Sequence, residues 1–162
     1  MTTKPQGLDH SGAHGAEPTG SVVIFTDITK EALEPLANAA EAQVMTEAMG
    51  ALVVFDGIVR NHDHGSAVRG LSYSAHPQAK EYIARVVQSV ADELEGVRLW
   101  AVHRVGPIAL GESALTVLAA AAHRGRAFEA CEAVADRVKA QVPIWKEQEL
   151  TDGSTEWVGI DT

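Results

Sequence analysis

From Ser21 to Thr29 the chain reads SVVIFTDIT, a short run rich in β-branched and apolar residues, which predicts a strand. Thr29 is placed to cap a helix whose first turn holds Glu31, in a stretch containing Pro35 and many alanines. ALVVFDGIVR, residues 51–60, predicts a second strand, NHDHGSAVR a polar loop, and GLSYSA, residues 70–75, a third strand. Pro77 then sits where a first helical residue belongs, and Ile83, Val86, Val87, Val90 and Leu94 follow at helical spacing until Gly96 ends the helix. VRLWAVHRV and SALTVLAAA predict two more strands joined through GPIALGE, and a last helix is expected from about Arg126 to Gln141. After Pro143, IWKEQEL and TEWVGI read as a hairpin closed by a DGS turn.

Helices and strands mix without a regular βαβ alternation, so the pattern predicts an α+β fold with a largely antiparallel sheet. No internal repeat is visible. Residues 1–20 hold few large apolar side chains and are expected to form a disordered N-terminal tail, leaving residues 21–162 as one domain.

Composition narrows the chemistry. With 22 acidic against 13 basic side chains and a formal charge of −9, the chain does not suit general nucleic-acid binding, so an anionic ligand needs a local basic cluster. The single cysteine, Cys131, excludes an internal disulfide and fits a reducing compartment. With neither a signal-like segment nor a membrane-length apolar run, the expected location is the cytoplasm. His10 and His14, and the HDH of residues 62–64, lack the further ligands of a zinc site, so no metal is expected. Neither a P-loop nor a dinucleotide fingerprint is present, and no cofactor is expected.

Only five lysines occur, and two of them, Lys139 and Lys146, flank the segment AQVPIW. On a helical wheel Phe128, Cys131, Ala135, Val138 and Val142 form an apolar stripe, with Lys139 at its border beside Phe128 and Ala135. An amine shielded there is available as a base or nucleophile. The same residue is also placed for an i,i+3 ion pair with Asp136, and both readings stand at this level. Pro143 ends the helix and lets an extended segment carry Lys146 back toward its last turn. Trp145, alternating with Lys146, is expected to pack inward on the opposite face. His123 and Arg124 precede the last helix, whose N-terminal amides favour anions, and Arg60 ends the second strand. Cys131 is expected to be buried packing rather than a nucleophile.

GALVVFDGIVRNH, YSAHP, VHRVG, AAHRGRAFEA and VKAQVPIWKEQ, taken in this order, resemble the large, catalytic subunits of molybdopterin synthase, the MoaE family. The resemblance covers about Gly50 to Trp157. It implies an α/β hammerhead fold with an additional α+β subdomain. It also implies a sulfurtransferase of molybdenum cofactor biosynthesis. There a small ubiquitin-like subunit carries sulfur as a C-terminal Gly-Gly thiocarboxylate, and cyclic pyranopterin monophosphate receives two such sulfurs to become the molybdopterin dithiolene. The implied assembly is a homodimer of large subunits within a heterotetramer. Carried onto this chain, the resemblance makes Lys139 and Lys146 the catalytic lysines. It makes Arg60, His123 and Arg124 the substrate's anion site, and Ile58, Val59, Glu147 and Gln148 further lining. Ile58 stands where some relatives carry a lysine, and longer relatives continue past the equivalent of Thr162 with a polar tail that reaches the neighbouring protomer's site. Two other classes fit the lysines: a Schiff-base enzyme acting on a small carbonyl compound, and a non-catalytic module that binds a ubiquitin-like protein.

Overall fold

The computed structural model describes residues 20–63, 66–150 and 152–158. The expected N-terminal tail, apart from Gly20, lies outside the described residues, as do His10, His14 and His64. In chain order the elements are β1 (Val22–Thr29), α1 (Leu33–Val44), β2 (Ala51–Ile58), β3 (His62–Asp63), β4 (Ser66–Ala75) and α2 (Ala79–Glu93). Then follow β5 (Arg98–Arg104), β6 (Gly106–Ile108), β7 (Ser113–Ala121), α3 (Arg124–Gln141), β8 (Ile144–Leu150) and β9 (Thr155–Val158).

Two sheets organise the chain. The first has the order β1-β5-β7-β2, and the second β3-β4-β8-β9 with β6 also on β4. Only β1 and β5 pair in parallel among the described strands, as the α+β reading expected.

The alternation of side chains along β5 and β7 explains the layering. Leu99 and Ala101, with Val117 and Ala119, face α2 and α3, where they meet Ile83, Val87, Ala130 and Val134. Trp100 and Val102, with Leu118 and Ala120, face the other way onto Leu33, Ala37, Ala40 and Val44 of α1. β7 is buried at every residue because helices cover both faces of its sheet. Alanines at 119, 120, 127 and 130 let helix and strand approach closely, so this core is made by tight packing of small groups as much as by large ones.

Several expected boundaries move for local reasons. Thr29 does not cap α1: its hydroxyl accepts from the Glu31 N–H at 3.2 Å, forming a turn, and the cap position falls at Ala32. That leaves Pro35 within the first helical turn, where its missing N–H costs nothing. The predicted polar loop instead contains β3 and the start of β4, with His62 opposite Ala67 and Asp63 opposite Ser66. Its polar composition hid this pairing.

Gly50 opens β2 under a tight steric constraint. A Cβ at this position would lie 2.4 Å from the Ala122 carbonyl oxygen, an atom held by the backbone. Gly50→Ala is therefore expected to lower stability by about 1–3 kcal/mol through forced displacement at the β2–β7 end. Denaturant unfolding checks this as a lower midpoint at unchanged slope.

Candidate active site

α3 ends at Gln141, and Val142 serves as its C-cap with its N–H bonded to Val138. Pro143 begins the turn away from the helix, and its carbonyl accepts from the His76 N–H at 3.0 Å. β8 then runs antiparallel to β4, with Tyr73 opposite Lys146 and Leu71 opposite Gln148. This turn and pairing return Lys146 to the side of α3 that carries Lys139. Both lysines line one cleft of about 840 Å3, walled by α3, β2 and β8.

Of the other residues expected at the site, Ile58, Val59, Arg60 and Gln148 line this cleft as well. Gln148 is buried, with 1% of its surface exposed. Glu147 does not share the cleft. Successive strand residues point to opposite faces, and Glu147 instead borders a second groove of about 520 Å3 with Ser72, Pro107 and Glu112. Trp145 is on the face away from Lys146 but is not packed inward: 39% of it is exposed.

His123 and Arg124 are exposed at the N-terminal end of α3, where His123 is the cap residue in extended conformation. Arg124 and Lys139 are fifteen residues apart on one helix, which places them about 22 Å apart along its axis. Within one chain His123 and Arg124 do not share the cleft, and neither is among the residues that line it.

The helical wheel misplaced one stripe. The residues of α3 that bury themselves are Ala127, Ala130, Cys131, Val134 and Val138. Phe128, 60% exposed, and Ala135 instead line the cleft beside Lys139. A helix bordering both a core and an apolar-walled cleft carries a wider stripe than the core alone requires. Lys139 is exposed rather than shielded, because this wall of the cleft is open to solvent in the single chain. The expected ion pair with Asp136 does not form, although Asp136 and Glu132 border the same cleft.

Cys131 is buried, with Sγ against the Val117 carbonyl at 4.0 Å. Burial pushes its thiol up to about 11, partly offset by a backbone contact at Phe55, so it is a packing group. No cluster of three potential metal ligands occurs among the described residues.

Two residues entered the cleft unannounced. His103, at the end of β5, is 8% exposed and stands in the same phase as Leu99 and Ala101, on the face toward α2 and α3. Its ring meets that of Tyr73 edge to face, with centroids 4.9 Å apart and planes at 78°. Burial pushes the imidazole down to about 4, with its contact to the Arg104 carbonyl opposing the shift. The available signal was a histidine in an otherwise apolar strand phase.

The layered fold and the sequence are similar to those of proteins of molybdopterin synthesis. The molybdopterin synthase structure from Staphylococcus aureus superposes with a TM-score of 0.75 at 30% identity, covering 82% of this chain and 95% of that one. A complex of subunits 1 and 2 of the molybdopterin-converting factor from Helicobacter pylori gives a TM-score of 0.65 at 26% identity, covering 83% of this chain and 88% of that one. Among sequences, molybdopterin synthase catalytic subunit 1 of Mycobacterium tuberculosis is 36% identical over 119 residues, 73% of this chain and 80% of that protein. The family model described as MoaE protein matches residues 28–141. The chain belongs to the MoaE family.

Proposed function

We propose that this chain is the sulfur-transferring, catalytic component of a molybdopterin synthase, working in the cytoplasm. The cleft takes the C-terminal Gly-Gly thiocarboxylate of a small ubiquitin-like subunit together with cyclic pyranopterin monophosphate; each thiocarboxylate gives up one sulfur and leaves as a carboxylate, so two small subunits in succession supply the two sulfurs of the dithiolene. The observation that carries this reading is the convergence of Lys139 and Lys146, from a helix and a strand, on one cleft that also holds Arg60. Cationic donors at such a place stabilise the thiocarboxylate anion and the charge that develops as the carbon–sulfur bond breaks. The relative solved as a complex of subunits 1 and 2 supports a small-subunit partner. The test is turnover with a thiocarboxylated small subunit and the cyclic pterin. Dithiolene formation is expected, and its absence with a bound partner and bound pterin would sink the reading.

The 22 Å scale of α3 adds a condition to this reading. For His123 and Arg124 to hold the substrate's phosphate, they must enter the cleft of a second copy, so the working unit is a homodimer carrying a small subunit at each cleft. Arg124→Ala is expected to weaken pterin binding by about 1.5–3 kcal/mol through loss of a charge-assisted hydrogen bond. Mixing inactive Arg124→Ala and Lys139→Ala chains should restore turnover, because a mixed pair contains one intact composite cleft. No restoration in a verified mixed dimer would place both residues' roles within one chain.

A further inference from the structure

His103 is the feature of the cleft that the lysine chemistry leaves unused. Leu99 and Ala101 precede it in the same strand phase and are packed in the core, so an apolar side chain would continue the pattern at lower desolvation cost. Nδ1 lies 2.7 Å from the Arg104 carbonyl oxygen. A carbonyl only accepts, so Nδ1 carries the proton and donates it. In a buried neutral imidazole the other nitrogen, Nε2, is then a bare acceptor. Tyr73 fixes the ring from the side, edge to face, and both rings belong to the cleft lining. With Nδ1 committed to the backbone, Nε2 is the ring nitrogen left to bond a guest in the cleft that His103 lines.

The charges around it indicate what this acceptor serves. Arg60, Lys139 and Lys146 are donors and take anionic groups, while Glu132 and Asp136 lie on the α3 wall with exposed Lys139. An uncharged acceptor on a largely buried ring, bordered by an aromatic side chain, suits neither a phosphate nor a carboxylate. It suits an N–H on the edge of a flat heterocycle. We propose that His103 is a specificity-determining residue of the cleft, accepting a hydrogen bond at Nε2 from a ring N–H of the pterin and so setting how deep and in which orientation that ring lies. This rests on the reading of the cleft as a pterin site.

The experiment compares His103→Phe, which keeps a ring against Tyr73 but has no acceptor, with His103→Gln, whose amide oxygen reaches the position of Nε2. Equilibrium binding of cyclic pyranopterin monophosphate to each folded chain is measured first, then turnover with the thiocarboxylated small subunit. His103→Phe is expected to raise the pterin Kd and KM about tenfold, the scale of one hydrogen bond lost in a shielded site, and to leave small-subunit affinity unchanged. His103→Gln should recover most of that loss. Pterin binding by His103→Phe as tight as in the unaltered chain overturns the inference, whatever its stability. Weakened small-subunit binding with unchanged pterin binding also overturns it, assigning Nε2 to an amide of the partner's tail. Unaltered protein that binds the pterin but transfers no sulfur defeats the sulfur-transfer reading while the binding comparison still decides His103. Unaltered protein that binds no pterin defeats both.

Discussion

Lys139→Ala is expected to abolish nearly all dithiolene formation, by about 10²–10⁴-fold, while leaving the fold and the small-subunit complex intact. The two halves of that expectation have separate physical sources. Lys139 is exposed and makes no ion pair with Asp136, so truncating it removes little packing and strands no buried partner. It lines the cleft together with Lys146, and in the proposed reaction that place would set its amine beside the thiocarboxylate. Unfolding midpoint, partner affinity and turnover measured on one preparation separate these effects. Turnover near the unaltered rate removes Lys139 from the chemistry. Lost turnover with a lowered midpoint returns it to a structural role.

Mild acid should destabilise the chain by about 3 kcal/mol between pH 6.5 and 4, and His103 is the cause. Its folded value is depressed from 6.5 to about 4, so over that interval the unfolded chain binds a proton that the folded chain refuses. The stability is fully present above pH 6.5, falls as pH drops toward 4, and levels off below it. Against a typical total of about 5–15 kcal/mol this is a large share. Glu93 and Glu112, held low by hydrogen bonds from Arg137 and Arg104, add losses of the same sign only below the ordinary carboxylate range. The upper part of the interval thus isolates the imidazole. Unfolding curves for unaltered protein and His103→Phe at successive pH values provide the check. The variant's stability should be nearly flat above pH 4.5, and an equally steep loss would shift the cause elsewhere.

Most of the fold was legible because its signals are local. SALTVLAAA and IWKEQEL are strands over the residues expected, as apolar or alternating runs bounded by Gly, Pro or an acidic turn. What escaped was settled by neighbours far away in sequence. The β3–β4 hairpin is made by pairing of His62 with Ala67 and Asp63 with Ser66, in a segment whose composition read as a loop. GPIALGE hid the three-residue strand β6, which exists because β4 lies alongside to pair with it. Rarity, proline and spacing singled out Lys139 and Lys146 as candidates with a surface ion-pair reading still open, and the structure puts both on one cleft. Their surroundings were not legible, because a wheel cannot distinguish a side chain buried in a core from one facing a cleft, as Phe128 and Ala135 show. His123 and Arg124 were rightly placed at a helix end, but only the length of that helix reveals that they are remote from Lys139.

The two-residue repeat of β8 has a consequence for deletions. Lys146 and Gln148 face the cleft while Glu147 faces the opposite groove. Losing one residue between Pro143 and Lys146, with the turn after α3 held fixed, would slide Glu147 into the place of Lys146 and replace a cation by an anion. Substitutions at Trp145 alter one exposed surface, whereas a single-codon deletion there inverts the polarity of the reaction chamber. The fold therefore tolerates replacement of the outward residues of this segment more readily than a change in its length.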